Sequence, residues 1–213
     1  MKNFIFDLDG TLVDSKIDIV NSFNLAVKKI INPELIKDPS LYIGYPVKDM
    51  LLNLYPDILP EKLKETIAEF RYIYDNSSFP NTKLYPYAIE LLDNLKNNDI
   101  KMFILTNKPS TATFQILRKF AIADYFKAII TKEHQSIKNK SELLKDLIVN
   151  FNLDRNEILL IGDSEVDVMT SKANMVKIAV LKHGYGDYIA ISKMKPDYIF
   201  NNLKEIGRII KYE

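Results

Sequence analysis

Asp7 and Asp9 stand two residues apart where a short apolar run, Phe4-Ile5-Phe6, ends. Successive residues of an extended chain face opposite ways, so positions 7 and 9 share a side and their carboxylates project together. Two such charges repel, and each resists ionisation unless a cation sits between them. A hard cation with oxygen ligands, Mg²⁺ above all, removes that conflict. Gly10 then permits a tight turn, and Thr11 brings a hydroxyl to the same point. A pair of solvated turn carboxylates is the simpler reading of Asp-x-Asp-Gly alone. The full run from Asp7 to Ser15, DLDGTLVDS, is more specific than that.

Three more strand-like segments deliver chemistry at their ends. Phe103-Ile104-Leu105 runs into Thr106-Asn107-Lys108-Pro109. A hydroxyl, an amide and the free N–H groups of a helix whose first turn holds Pro109 and Ser110 suit phosphate oxygens. The competing reading makes Thr106 the strand end and Asn107 the helix cap. A fixed lysine would stabilise the dispersed negative charge of a transferring phosphoryl group. Lys140, immediately before a helix that Ser141 could cap, is the better placed; Lys138 is the alternative. Finally Ile158-Leu159-Leu160-Ile161 ends in Gly162-Asp163-Ser164-Glu165-Val166-Asp167. Acidic residues in a first helical turn complement the helix dipole. The sharper reading has Asp163 ligating the metal directly and Asp167 supporting it through water.

These ends need a scaffold, and the sequence patterns one. Apolar runs at Ile100–Leu105, Ala128–Thr131, Ile158–Ile161, Val176–Leu181 and Tyr198–Phe200 alternate with helical stretches. The helical stretches are Tyr87–Lys96, Thr111–Phe120, Glu142–Phe151, Val166–Ala173 and Leu203–Ile210. After Ser141, apolar residues at 143, 144, 147, 148 and 151 mark one face of a helix. Such alternation predicts an α/β fold: a mostly parallel, Rossmann-like sheet with helices on both faces. In such sheets ligands bind beyond the carboxyl ends of the strands. Residues 15–81 break the pattern and read as helices alone: Ile17–Ile31, Val47–Leu54 and Glu61–Tyr74, punctuated by six prolines between 33 and 80. Ser15-x-x-Asp18 has the form of a capping box opening the first. The expected organisation is a core of 1–14 and 82–213 with a small all-helical cap of 15–81 inserted. Hinges are expected near Asp14-Ser15 and between Asn81 and Leu84.

The run DLDGTLVDS resembles the first motif of the haloacid dehalogenase superfamily of phosphatases. Thr106-Asn107, the lysine segment and Gly162-Asp163 follow in that family's order and contexts. Lys140-Ser141-Glu142-Leu143-Leu144 is similar to a K-x-E-V-I variant of the lysine motif; Lys138 would suit a K-P-x-P spacing that this chain lacks. Within the family the chain looks most like the phosphoglycolate phosphatase group. Ile43-Gly44-Tyr45-Pro46 is similar to a G-P-P-L loop there and His183-Gly184-Tyr185-Gly186 to a W-G-Y-G segment. Tyr45, His183 and Pro86-Tyr87 depart from that pattern. The resemblance implies a Mg²⁺-dependent phosphatase acting on a small phosphorylated metabolite. Asp7 is the expected nucleophile, forming an aspartyl phosphate. Asp9 is the expected general acid and base, which requires it to hold a proton when the ester bond breaks. One Asp7 oxygen, the main-chain carbonyl of Asp9 and Asp163 are expected on the metal. Thr106, Asn107, Gly10 and Lys140 are expected at the phosphate, and Lys48 and Arg71 in the cap are candidates for an anionic substrate. The alternatives are a β-phosphoglucomutase-like phosphosugar mutase, a nucleotidase, a pyrophosphatase and, more distantly, an inactive binding module.

Composition narrows the classes. The 213 residues carry 29 Lys and Arg against 28 Asp and Glu, a formal charge of +1, which argues against a nucleic-acid partner. Cysteine is absent, so disulfides and thiolate catalysis are excluded. His134 and His183, the two histidines, are not at metal-ligand spacing and receive no role. The start, Met-Lys-Asn-Phe, has too short an apolar stretch for a signal peptide, and no apolar run approaches the roughly 20 residues that span a bilayer. The expectation is therefore a cytoplasmic protein with no membrane partner.

Overall fold

The computed structural model of the chain describes residues 1–132 and 138–210. His134 and the start of the lysine segment, Ser136-Ile137, lie outside the described residues. Six strands form one parallel sheet: β1 (Asn3–Phe6), β4 (Lys101–Thr106), β5 (Ala128–Thr131), β6 (Ile158–Gly162), β7 (Lys177–Leu181) and β8 (Tyr198–Phe200). Their order is β5-β4-β1-β6-β7-β8, so the winding reverses at β1. A doubly wound sheet opens a crevice at such a reversal, outside the carboxyl ends of its strands.

The strands are near-continuous apolar runs because both faces of the sheet are covered. Alternate residues divide between two cores. Phe4, Phe6, Met102, Ile104, Leu159, Ile161, Ala179 and Leu181 face one side; Ile5, Phe103, Leu105, Ile158, Leu160, Ile178 and Val180 face the other. Helices α4 (Ala88–Asn97), α5 (Ser110–Lys119) and α9 (Leu203–Ile210) cover the first side. Helices α6 (Lys140–Asn150), α7 (Glu165–Asn174) and the short α8 (Tyr188–Lys193) cover the second. The expected fold is thus met, with α8 as an element that its six-residue length hid.

Two further short strands, β2 (Val13–Asp14) and β3 (Lys83–Leu84), pair antiparallel with Val13 opposite Leu84. Between them lie α1 (Lys16–Ile30), α2 (Val47–Leu54) and α3 (Pro60–Asp75). Helices α1 and α3 pack through Phe23 and Phe70, whose rings meet edge-on at 6.4 Å. The pair β2–β3 is where the chain leaves the sheet for these helices and returns.

Two expected helix caps are corrected. Ser15-x-x-Asp18 forms no capping box: the Ser15 side chain makes no cap bond, and both residues are diverted to distant partners. The Asp18 carboxylate accepts from Thr82 N–H (2.7 Å), Thr82 Oγ1 (2.7 Å) and the N–H and Nδ2 of Asn81 (3.1 and 2.9 Å), tying the start of α1 to the returning chain. Nor does Ser141 cap α6. Asn139 does: it accepts from Glu142 N–H at 3.0 Å while the Glu142 carboxylate takes the Asn139 N–H at 2.7 Å. Lys140 is therefore the first residue of its helix rather than the residue before a cap. The cap position of α5 is Pro109, not Asn107.

Candidate active site

The carboxyl ends of β1, β4 and β6 bring Asp7, Thr106 and Asp163 to one crevice. Strand pairing continues past β1, with Asp7 N–H donating to Ile161 O at 2.8 Å. Oxygens of Asp7, Asp163 and Asp167 lie within 4.8 Å of one another, and all three residues are buried. The buried ammonium of Lys140 crosses from α6 into this cluster, 2.5 Å from Asp7 Oδ1 and 2.7 Å from Asp167 Oδ1. Lys138 instead pairs with Asp146 on the surface.

Asp163 sits in a cradle made by missing side chains. A Cβ on Gly184 would fall 2.1 Å from Asp163 Cβ, and one on Gly10 would fall 2.3 Å from Asp163 Oδ2. Gly10 also has a φ of +82°, a conformation that favours glycine. Its N–H is committed to Val13 O at 2.8 Å, so its contribution is space and a turn rather than a donor for phosphate. Thr11 Oγ1 and Tyr185 N–H donate to the two Asp163 oxygens at 2.9 and 2.8 Å. Asp167 reaches back from the first turn of α7: its Oδ2 accepts from Ser164 Oγ (2.7 Å), Ser164 N–H (3.1 Å) and Asp163 N–H (3.2 Å). Both Asp167 oxygens are therefore held by protein donors.

Three carboxylates face one ammonium, and the chain titrates accordingly. Burial pushes Asp7 up to about 7, against the pull of Lys140. Burial, with Asp167 and Asp7 nearby, holds Asp163 well above the usual carboxylate range. Lys140 loses from burial but gains more from Asp167 and Asp7, so it stays charged. A site with excess buried negative charge and oxygen donors alone fits a hard divalent cation.

Asp9 lies beside this cluster with both oxygens engaged. Ser15 Oγ donates to Oδ1 at 2.5 Å, and the buried Lys108 ammonium stands 2.9 Å from Oδ2. Lys108 in turn donates to the Tyr74 hydroxyl of α3 at 2.7 Å and lies 4.3 Å from the centre of that ring. No sequence pattern marks Lys108, Ser15 and Tyr74 as site residues. For Lys108 the one signal is its place directly after Thr106-Asn107 at a strand end. Ser15 was masked by its likeness to a cap, and Tyr74 by its place in a helix far along the chain.

A cavity of about 550 Å³ opens from Asp7 and Asp9 towards α2 and α3, with Thr106 and Asn107 on its wall. Asn107 Nδ2 donates to Gly44 O at 2.9 Å, joining the β4 end to the loop before α2. Its Oδ1 is buried with no hydrogen-bond partner. Lys48 and Arg71 line the outer part, where Arg71 is paired with Asp75 at 3.3 Å.

Residues 4–181 match the sequence model of the haloacid dehalogenase-like hydrolases. The chain belongs to that family. A phosphoglycolate phosphatase of Haemophilus influenzae is 26% identical over 215 residues, covering 96% of each chain. The crystal structure of a "predicted phosphoglycolate phosphatase" from Haemophilus somnus superposes with a TM-score of 0.86 at 27% identity, covering 99% of this chain and 98% of that one. A "predicted phosphatase" from Clostridium acetobutylicum gives 0.88 at 25% identity, covering 100% and 99%. The protein is therefore a hydrolase whose family, fold and acidic crevice agree. Among the described residues no helix is long and apolar enough to cross a membrane.

Proposed function

We propose that this haloacid dehalogenase-like hydrolase is a Mg²⁺-dependent phosphatase that cleaves a small phosphomonoester through a phosphorylated Asp7. The observation that carries the reading is the buried cluster of Asp7, Asp163, Asp167 and Lys140 at the reversal point of the sheet. Asp7, the Asp9 main-chain carbonyl and Asp163 are the residues to hold the ion. Asp167, with its oxygens already occupied, orients Lys140 and the Asp163 turn. The bound ion supplies positive charge that lets the carboxylates and a phosphate dianion share one pocket.

An oxygen of Asp7 attacks phosphorus in line with the ester oxygen, and the bond to that oxygen breaks. Asp9 gives the departing alkoxide a proton retained from the water of the preceding turnover, with Ser15 Oγ turning to accept from it in that state, then takes one from the water that attacks the phosphorylated Asp7. In the second half, Ser15 and Lys108 hold Asp9 as an acceptor, the state a base requires. Lys140 fixes one Asp7 oxygen and neutralises charge gathering on the phosphoryl group, beside Thr106 and Asn107. Residues 1–14 and 82–213 form the chemical core in this reading, and 15–81 the cap that closes over the substrate. Soluble action in the cytoplasm on a small metabolite accords with it.

Phosphoglycolate is the first substrate to try, from the relatives' names. The cavity supports a second reading. At about 550 Å³ it falls in the range of sites for larger ligands, about 300–1,000 Å³. That favours a bulkier alcohol, such as a sugar or nucleoside, with Lys48 and Arg71 towards its outer end. The test is phosphate release from a panel of natural phosphomonoesters, ranked by kcat/KM with Mg²⁺ and repeated with excess chelator. Release that vanishes with chelator is expected. Full activity in chelator removes the metal from the account, and an inert protein overturns the phosphatase. A hexose phosphate in the panel separates a mutase, which yields an isomer, from a phosphatase, which yields free phosphate.

A further inference from the structure

The loop after β7 grips three parts of the molecule at once. The N–H of Tyr185 holds Asp163. At the other end of the same residue, its hydroxyl accepts from Ser15 N–H (2.7 Å) and Lys16 N–H (3.1 Å) and donates to Asp14 Oδ1 (2.9 Å). Two residues earlier, the His183 ring stacks on Tyr85 at 3.9 Å, and its carbonyl accepts from the Tyr85 hydroxyl at 3.2 Å. The loop thus touches the chain on both sides of the β2–β3 crossing.

A helix begins with N–H groups that lack partners, and the cap residue's own side chain usually takes one. At α1 the Ser15 side chain makes no such bond, while the Tyr185 hydroxyl, 170 positions along the chain, takes the N–H of Ser15 itself and that of Lys16. With its main chain held there, Ser15 turns its Oγ to Asp9. We infer that Tyr185 is a positioning residue: its hydroxyl fixes the main chain at Ser15 and Lys16 so that the Ser15 side chain holds Asp9, while its own main chain holds Asp163. The inference rests on the role given to Asp9 above.

Tyr185→Phe removes one oxygen and keeps the ring and the N–H on Asp163. Amide exchange of the peptide containing Ser15 and Lys16, read by mass spectrometry, should quicken several-fold. With Mg²⁺, kcat should fall by about 5- to 10-fold, the scale of one lost hydrogen bond, with KM and the Mg²⁺ requirement held. Ser15→Ala should lower kcat similarly. The double variant should be no slower than the slower single one, because both act through one contact. Unchanged exchange, unchanged kcat in Tyr185→Phe, or losses that multiply in the double variant overturn the inference. So does a lowered melting temperature with kcat intact. The exchange measurement needs no turnover. A wild-type protein inert toward every phosphomonoester would overturn the proposed function, while faster exchange in Tyr185→Phe would still report the hydroxyl's hold on the chain at Ser15 and Lys16.

Discussion

Lys140 and Lys108 are two buried cations with different loads. Lys140 separates Asp7 from Asp167, so removing its charge leaves two carboxylates facing each other out of water. Lys140→Met should therefore cost about 3–5 kcal/mol of stability in the metal-free protein, measured by urea unfolding. Lys108 holds Asp9 and is itself oriented by Tyr74. Lys108→Met should lower kcat by roughly 10²-fold, the scale of misplacing an acid–base group, in a protein whose Asp7–Lys140 contact is intact. An unchanged kcat would separate Lys108 from the chemistry. The sequence made Asp7, Asp163 and Lys140 legible because each stands at a fixed point where an apolar run or a helix begins or ends. Lys108 was equally near a strand end, but a lone lysine in a polar turn reads as a solvated one. Its burial comes from Tyr74, which no local pattern connects to it.

At the scale of elements, strands were easier to read than helix starts. The six strands of the sheet are short apolar runs, four of them (β1, β4, β5 and β6) closed by glycine, threonine or aspartate, and packing on both faces leaves them no other reading. Helix caps depend on which partners are in reach. Ser15 and Asp18 have the local form of a box, yet Asp9 and Thr82 offered better partners across the fold. At α6 the local sequence carries the stronger signal at Asn139, which has Glu142 three residues on, whereas Ser141 has Leu144. The Asp18 contact makes a prediction of its own. Asp18→Ala strips the acceptor from the Asn81 and Thr82 N–H groups, and should lower stability by about 2–4 kcal/mol in chemical denaturation. A loss under 1 kcal/mol would mean that the returning chain does not depend on α1.

For the molecule as a whole, the sheet gathers charge that the folded chain alone does not balance. The Asp7 carboxyl is raised from 3.8 to about 7, so the folded protein holds a proton there that the unfolded chain has released. Stability from this group is therefore lost as pH rises from about 4 through about 7. A divalent ion that occupies the cluster reverses the trend by favouring the ionised form. Saturating Mg²⁺ should raise the melting temperature more at pH 8 than at pH 6, with the metal-free protein showing the opposite order for this group. Equal shifts at both values would argue that the ion binds elsewhere. The parallel sheet could be read from alternating periodicities, since these are local. The tie between the loop after β7 and the start of α1 could not, since it joins residues that only the finished fold brings together.

The central claim is that Asp7 captures phosphorus. Its direct test is the turnover of Asp7→Asn with an activated aryl phosphate and excess Mg²⁺, in protein shown to be folded by its melting transition. The account predicts a loss of kcat of about 10⁴-fold or more, as for removal of a covalent nucleophile. Turnover within tenfold of wild type would contradict it.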